Sequence, residues 1–417
     1  MKVLFLCGGV GKRMFPLTED KFLLKFLGKT ILEHQLETAM ESGLRRFIIV
    51  ANPINLARIE SITELFPEAE FQFVVQEKPL GIANALENAR HLIKDELLIV
   101  NPNDVFENTA YANLLDYRQK RKAAAYITGH KVKSYFSGGY LVVNKQGRLI
   151  KIVEKPGQGK EPSDMVNILV HLHTDPETLL SYISQVKTNQ DDVYEQAIDI
   201  MCKDNRAIQV VPYTSAWTPI KYPWHILDVV RYFLDRTEGY ITPSALVSPH
   251  AVIEGKVILE DGVRVFENAV IRGPVYIGRN TVIGNSALVR HYAHIGSDCV
   301  VGFSTEIKES YVGDGTQFHM SYAGDSVIGA HCSFGAGTIT ANWRFDAKTV
   351  QIKIGDDLID TGHDKLGAFI GDNCRTGIQV SIMPGVRIGN NAIIYPQVNL
   401  TNDVAVDAIV RSQSSEC

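Results

Sequence analysis

Between His319 and Lys348 the chain reads HMSYAGDSVIGAHCSFGAGTITANWRFDAK. This one stretch holds an imidazole, a phenol, an amide, a Gly-Ala-Gly turn and a lysine. An imidazole titrates near neutral pH and is suited to taking a proton from an amine. An amide nearby can steady an acyl group, and glycines let an extended ligand lie close to backbone. A second group of such residues stands at the other end, where Gly8-Gly9-Val10-Gly11-Lys12-Arg13 follows the apolar run VLFLC at 3–7. A glycine loop after a strand lets backbone N–H groups approach a phosphate.

These residues need elements to hold them. The runs FIIVA (47–51), FQFVV (71–75) and ELLIVN (96–101) predict further strands, with ILEHQLETAMESG (31–43) and ANALENARHLI (83–93) as helices between them. Such alternation predicts a mainly parallel, Rossmann-like sheet over residues 1–225, covered on both faces, with ligands at the carboxyl ends of its strands. Apolar positions 226, 229, 230, 233 and 234 predict an amphipathic helix, and 226–240 reads as a linker.

From Ile241 the period changes to six. Ile277-Gly278, Ile283-Gly284, Val289, Ile295-Gly296 and Val301-Gly302 form one run, and Ile370-Gly371, Thr376-Gly377, Ile382, Ile388-Gly389 and Ile394 another. An aliphatic residue at every sixth position predicts a left-handed parallel β-helix over 241–417, of about nine coils. Residues 343–365 break the register and predict a protruding loop.

Bulk composition excludes several classes. At 417 residues the chain exceeds a single compact core. A net charge of -5 argues against a nucleic-acid partner. Six scattered cysteines without a C-x-x-C pair suit a reducing compartment and no zinc site. No run approaches the roughly twenty apolar residues of a membrane helix, and MKVLFLCGG is too short for a signal peptide, so the expected location is the cytoplasm.

In their order, Gly8, Gly9, Gly11, Arg13, Pro16-Leu17-Thr18, Lys21, Gln76, Gly81 with Ala83, Asp104, Gly139, Glu154-Lys155-Pro156 and Asn167 resemble the sugar-1-phosphate nucleotidylyltransferases, over about residues 1–235. The resemblance implies attack by a sugar phosphate oxygen on the α-phosphorus of UTP or dTTP, with release of pyrophosphate. It implies that Gly8, Gly9, Gly11 and Gly81 cradle the nucleotide, that Arg13 and Lys21 neutralise its phosphates, and that Gln76 reads a pyrimidine. Asp104 would hold Mg²⁺, and Gly139, Glu154, Lys155 and Asn167 would line the sugar pocket.

The pattern is broken at several points. Lys12 stands where the family has threonine, Asp20 for proline, Ile82 for threonine, Asn103 for glycine and Ile168-Leu169 for Ala-Gly. Trp217-Thr218-Pro219-Ile220 matches W-x-D-I, so proline replaces a second metal carboxylate.

In the repeat region, GFSTEIK (302–308), HMSYAGD (319–325), FGAGTITAN (334–342) and Lys348 resemble the acetyltransferase half of the bacterial bifunctional glucosamine-1-phosphate acetyltransferase/N-acetylglucosamine-1-phosphate uridylyltransferases. The archaeal-type variant is nearer, matching ANWRFD at 341–346 and KLGAFIGD at 365–372. This implies that His319 is the general base and that Asn342 orients or polarises the acetyl group. Arg290, Lys308 and Lys348 would bind the sugar phosphate beside Tyr322, and Gly335-Ala336-Gly337 would pass the acetyl-CoA chain. Ser333 replaces an asparagine that contacts the sugar in the bacterial enzymes. The fold type implies a homotrimer.

The expectation is a bifunctional enzyme that acetylates an amino-sugar 1-phosphate and couples the product to a nucleotide. An acetyltransferase whose first domain is only a nucleotide-binding or structural module, or a nucleotidylyltransferase whose β-helix only trimerises, are the alternatives.

Overall fold

In the computed structural model, residues 1–9, 11, 13–188 and 192–412 are described. They form two compact units. One comprises Met1–Val10 and Ile31–Trp217, the other Gly11–Thr30 with Thr218–Cys417. The segment Gly11–Thr30 therefore groups with the repeat region, where a division drawn along the chain would put it with the first unit. Lys12 lies outside the described residues.

The first unit is built on a mixed sheet. Lys2–Leu6, Arg46–Ala51, Glu70–Val75 and Leu97–Val100 run parallel, as their apolar runs predict. The remainder mixes directions: Ile208–Tyr213 pairs parallel with Ala125–Lys131, and the other pairings are antiparallel. Met165–His173 pairs antiparallel with Leu97–Val100, Ala125–Lys131 and Gly139–Val143, and Leu149–Glu154 closes that edge antiparallel. Strand alternation sorts the side chains onto two faces. Leu4, Ile48, Val50 and Ile99 bury against Ala85, Leu86, Leu179, Ala197 and Ile198 of the helices Gly81–Ala89, Pro176–Ile183 and Val193–Lys203. Phe5, Phe47 and Phe71 stack in a row on the other face.

His171 and His173 alternate along their strand and both point into the core. Each ring hydrogen-bonds the Tyr194 hydroxyl at 2.8 Å, and burial pushes both imidazoles well below their usual range. They serve packing, not metal binding.

The repeat region stacks three parallel sheets into a left-handed β-helix. Val252, Val270, Leu288 and Glu306 are ladder partners at intervals of 18 residues, one triangular coil each. The inward position of each coil holds Val265, Ile283, Val301, Phe318, Phe334 and then Thr376, with Phe318 and Phe334 stacked at 4.7 Å. Residues 343–365 leave the coil as a hairpin of Gln351–Ile354 and Asp357–Asp360, so Ile339–Thr340 pairs next with Ser381–Ile382. The linker region forms the helix His225–Arg236.

One flat side of the β-helix carries an outward aromatic column, Tyr276–His294–Tyr311, with centroids 4.7 and 5.1 Å apart. Gly11–Thr30 is seated on it. Phe26 packs against His294, Tyr311 and Phe233 of the helix. Lys25 pairs with Asp314 at 2.9 Å, and Asn390 donates to the Thr18 hydroxyl. The Leu27 N–H donates to His294 Nε2 at 3.1 Å, so the ring must be neutral there.

Burial pushes His294 down to about 4 from 6.5. Between those values the unfolded chain binds more protons, so stability falls as the pH drops through this window, by up to about 1.4 kcal/mol per pH unit for this group. Amide hydrogen exchange at Leu27 should lose protection, relative to its intrinsic rate, as the pH falls from 6.5 towards 4. Protection that stays constant across that range would refute the role given to His294.

Candidate functional site

Several of the expected nucleotide and sugar residues converge within the first unit. The strand Lys2–Leu6 runs into Gly8, where a Cβ would come within 2.2 Å of Gln76 Oε1. A side chain there would force Gln76 to shift. Gly9 has open space around it. Gln76 is buried, and its Nε2 donates to the Gly81 carbonyl at 3.1 Å and to Asn84 Oδ1 at 3.0 Å. A backbone carbonyl can only accept, so the amide is oriented with Oε1 on the Gly8 side. That leaves an acceptor, which matches the ring N–H of uracil or thymine. Gly81 opens its helix at φ +82°, a conformation that favours glycine.

The sugar-pocket residues also meet. Gly139 is the ladder partner of Glu154, and a Cβ on Gly139 would lie 3.1 Å from Glu154 Oε2 and 3.2 Å from Asn167 Nδ2. Lys155 adopts φ +43° and pairs with Glu154 at 3.0 Å. Gly139, Glu154, Lys155 and Asn167 thus gather at adjoining ends of three antiparallel strands. Asp104 is half-buried, and its Oδ2 accepts the Trp217 indole N–H at 3.1 Å. Among the described residues no group of three or more His, Cys, Asp or Glu side chains could hold a metal. One carboxylate is a donor set that fits Mg²⁺ when substrate phosphates and water supply the other ligands.

Gly11, Arg13 and Lys21 belong to the other compact unit. A Cβ on Gly11 would lie 3.6 Å from Lys21 Cε, while Lys21 Nζ donates to the Ile220 carbonyl at 2.8 Å. Arg13 is exposed on a turn.

The second site lies on the β-helix, where coil stacking builds it. Arg290, Lys308 and Gly324 are successive ladder partners, and Glu306 and Tyr322 form the adjacent column. Asn342 Nδ2 donates to Tyr322 Oη at 3.2 Å and to Asp325 Oδ2 at 2.5 Å. Asp325 Oδ2 also lies 2.9 Å from Lys308 Nζ. His319 is exposed at the corner three residues before Tyr322, its N–H bonded to the Phe334 carbonyl.

Electrostatics differ from a simple cationic pocket. Arg290 is paired with Glu306 at 2.7 Å, and Lys308 with both Asp325 and Glu309. Burial pulls the Lys308 ammonium down, but Asp325 and Glu309 together outweigh it and the group ends above its usual range. Burial raises Tyr322, so its phenol stays protonated. Lys348 is exposed on the excursion, where its backbone N–H donates to Asp346.

Gly335 and Gly337 have a structural reason of their own. A Cβ on Gly335 would approach the Gly377 backbone to 2.6 Å, and Gly337 adopts φ +77°. Asp325, Glu306 and Asn84 were not singled out from sequence. For Asp325 the available signal was its place in HMSYAGD, three residues after Tyr322.

Comparison with known proteins shows which families the two regions match. Residues 2–220 match the nucleotidyl transferase family model, and residues 256–291 and 367–402 the bacterial transferase hexapeptide model. The chain is 35% identical over 410 residues to a bifunctional sugar-1-phosphate nucleotidylyltransferase/acetyltransferase of Sulfurisphaera tokodaii, covering 97% of this chain and 98% of that one. It is 36% identical to the bifunctional protein GlmU of Methanococcus maripaludis strain C7, covering 98% and 97%. The bifunctional protein GlmU of Methanocaldococcus jannaschii is 32% identical, again covering 98% and 97%.

Gly139→Ala tests the first cluster. The added methyl should occupy the gap between Glu154 and Asn167 and weaken binding of a sugar 1-phosphate by at least about tenfold, or 1.4 kcal/mol, in titration calorimetry. Unchanged affinity would remove these residues from the pocket.

Proposed function

The chain belongs to the family of bifunctional sugar-1-phosphate nucleotidylyltransferase/acetyltransferases, and we propose on that premise that it N-acetylates an amino-sugar 1-phosphate from acetyl-CoA and couples the product to UTP or dTTP. The observation that carries the first half is the Lys308–Asp325–Asn342–Tyr322 group, with His319 at the corner three residues before Tyr322. Arg290 and Lys308 hold the substrate phosphate. His319 takes the proton as the sugar nitrogen attacks the acetyl carbon. The N–C bond forms, the C–S bond breaks, and the thiolate leaves to be protonated as free coenzyme A. The thioester chain passes along Gly335-Ala336-Gly337.

In the second half, a phosphate oxygen of the sugar 1-phosphate attacks the α-phosphorus of the nucleotide and pyrophosphate departs. Alignment and neutralisation of charge supply most of such catalysis. Gly8, Gly9, Gly11, Gln76 and Gly81 bind the nucleotide, Arg13 and Lys21 neutralise its phosphates, and Gly139, Glu154, Lys155 and Asn167 hold the sugar. Asp104 would ligate Mg²⁺, which when bound offsets the charge of the phosphates. The orientation of Gln76 supports a base with a ring N–H, which uracil and thymine have and cytosine lacks. Pro219, standing where W-x-D-I has aspartate, favours a second reading in which this unit binds nucleotide without turning it over.

A homotrimer is part of the proposal. Phe303, Met320 and Ile378 are exposed and occupy one corner position of their coils, two residues past the ladder partners Val301, Phe318 and Thr376. Burying such a ridge favours association. Location in the cytoplasm is supported by free cysteines among the described residues and by the lack there of any helix long and apolar enough to cross a membrane.

His319→Ala should lower acetyl transfer, followed as thiol release, by about a hundredfold or more and leave pyrophosphate release intact. Asp104→Ala should do the reverse. Thiol release undiminished in His319→Ala would remove the base. No pyrophosphate from the native chain with UTP or dTTP and Mg²⁺ would decide for the second reading.

A further inference from the structure

We infer that Asp325 is a positioning residue of the acetyl-transfer site, holding Lys308 for the substrate phosphate and turning Asn342 so that it faces the substrate as an acceptor. The inference rests on the acetyltransferase reading. Asp325 comes at the end of the strand Tyr322–Gly324, at φ +51°, with its side chain 6% exposed. Its Oδ2 meets Lys308 of the preceding coil at 2.9 Å and Asn342 of the following coil at 2.5 Å. One carboxylate oxygen therefore ties three successive coils together where the chemistry lies. Its backbone is held as well, with its N–H on the Lys308 carbonyl and its carbonyl accepting from Gly367.

The consequence for Asn342 follows from counting hydrogens. An amide nitrogen carries two. Here one goes to Asp325 and the other to Tyr322 Oη. The atom left to face a ligand is Oδ1, which can only accept. An acceptor aligns the N–H of an attacking amine; it cannot polarise an acetyl carbonyl. Gly324 makes room for this arrangement, since a Cβ there would reach 2.4 Å from Tyr322 Oη and 3.0 Å from Asn342 Nδ2.

The consequence for Lys308 is electrostatic. Its side chain is 9% exposed, and the groups facing it are Asp325, Glu309, Tyr322 and, one coil away, Arg290 paired with Glu306. Burial opposes its charge, and Asp325, with a smaller contribution from Glu309, keeps it protonated. Of the three ammonium hydrogens, two are directed to Asp325 and Glu309, which leaves one for phosphate.

The test compares KM and kcat for glucosamine 1-phosphate across pH 6.5–9.5, by thiol release from acetyl-CoA, in the native chain and in Asp325→Asn. The ratio of variant to native KM should rise towards the alkaline end of this range, as Lys308 gives up its proton more readily without the Asp325 carboxylate. Lys308→Arg placed in the Asp325→Asn background should flatten that rise, because guanidinium stays charged. Asp325→Glu keeps the buried charge and serves if Asp325→Asn fails to fold. It should leave KM near the native value and lower kcat by up to about a hundredfold, through displacement of Asn342. A KM ratio independent of pH, or Asp325→Glu with native kcat, overturns the inference while the acetyltransferase reading stands. A native chain that releases no thiol overturns the reading itself.

Discussion

Each coil of the β-helix must bury the same position, and the second site depends on that constraint. Once Val301, Phe318 and Phe334 are superposed in the interior, the outward residues have no freedom of register. A slip of one residue would turn every inward side chain out. Arg290, Lys308 and Gly324 therefore stand in one column, and Glu306 and Tyr322 in the next. Residues 16 to 20 positions apart are thus held to hydrogen-bonding precision by the stacking of coils.

The cations at this site are already paired before a ligand arrives. Two cations, Arg290 and Lys308, face three carboxylates, Glu306, Glu309 and Asp325. Half-buried pairs of this kind hold their members in place more than they stabilise the fold. A phosphate must compete with Glu306 for Arg290, whereas it can use a hydrogen of Lys308 that the carboxylates leave over. The cations are consequently pre-oriented and remain charged, which a bare cluster of buried lysines would not be.

Glycine does two kinds of work in this molecule. At Gly8 and Gly139 the missing Cβ leaves space beside functional side chains, Gln76 in one case and Glu154 with Asn167 in the other. At Gly335 the same absence is demanded by the coil beneath. The letter alone does not separate the two. The direction from which a neighbour approaches does.

Period and spacing in the sequence determined the two architectures, because an aliphatic residue at every sixth position can be buried together only in a triangular coil. The four parallel strands were legible for the same reason, as apolar runs between helices. The remainder of the sheet was not, because strand direction is set by partners distant in sequence, and Met165–His173 met three of them antiparallel. The hexad pattern also fades between its two clear runs. There the ladder intervals shorten from 18 residues to 17 and 16, as at Val301, Phe318 and Phe334, and this is where His319 and Tyr322 lie. Residue types named His319, Tyr322, Lys308 and Asn342 as chemistry. Only the tertiary structure decided that Asp325 joins them, that the amide hydrogens of Asn342 are already committed, and that Gly11–Thr30 is seated on the β-helix. Each of those depends on which atoms meet across coils or from remote segments, and a linear pattern carries no record of such distances.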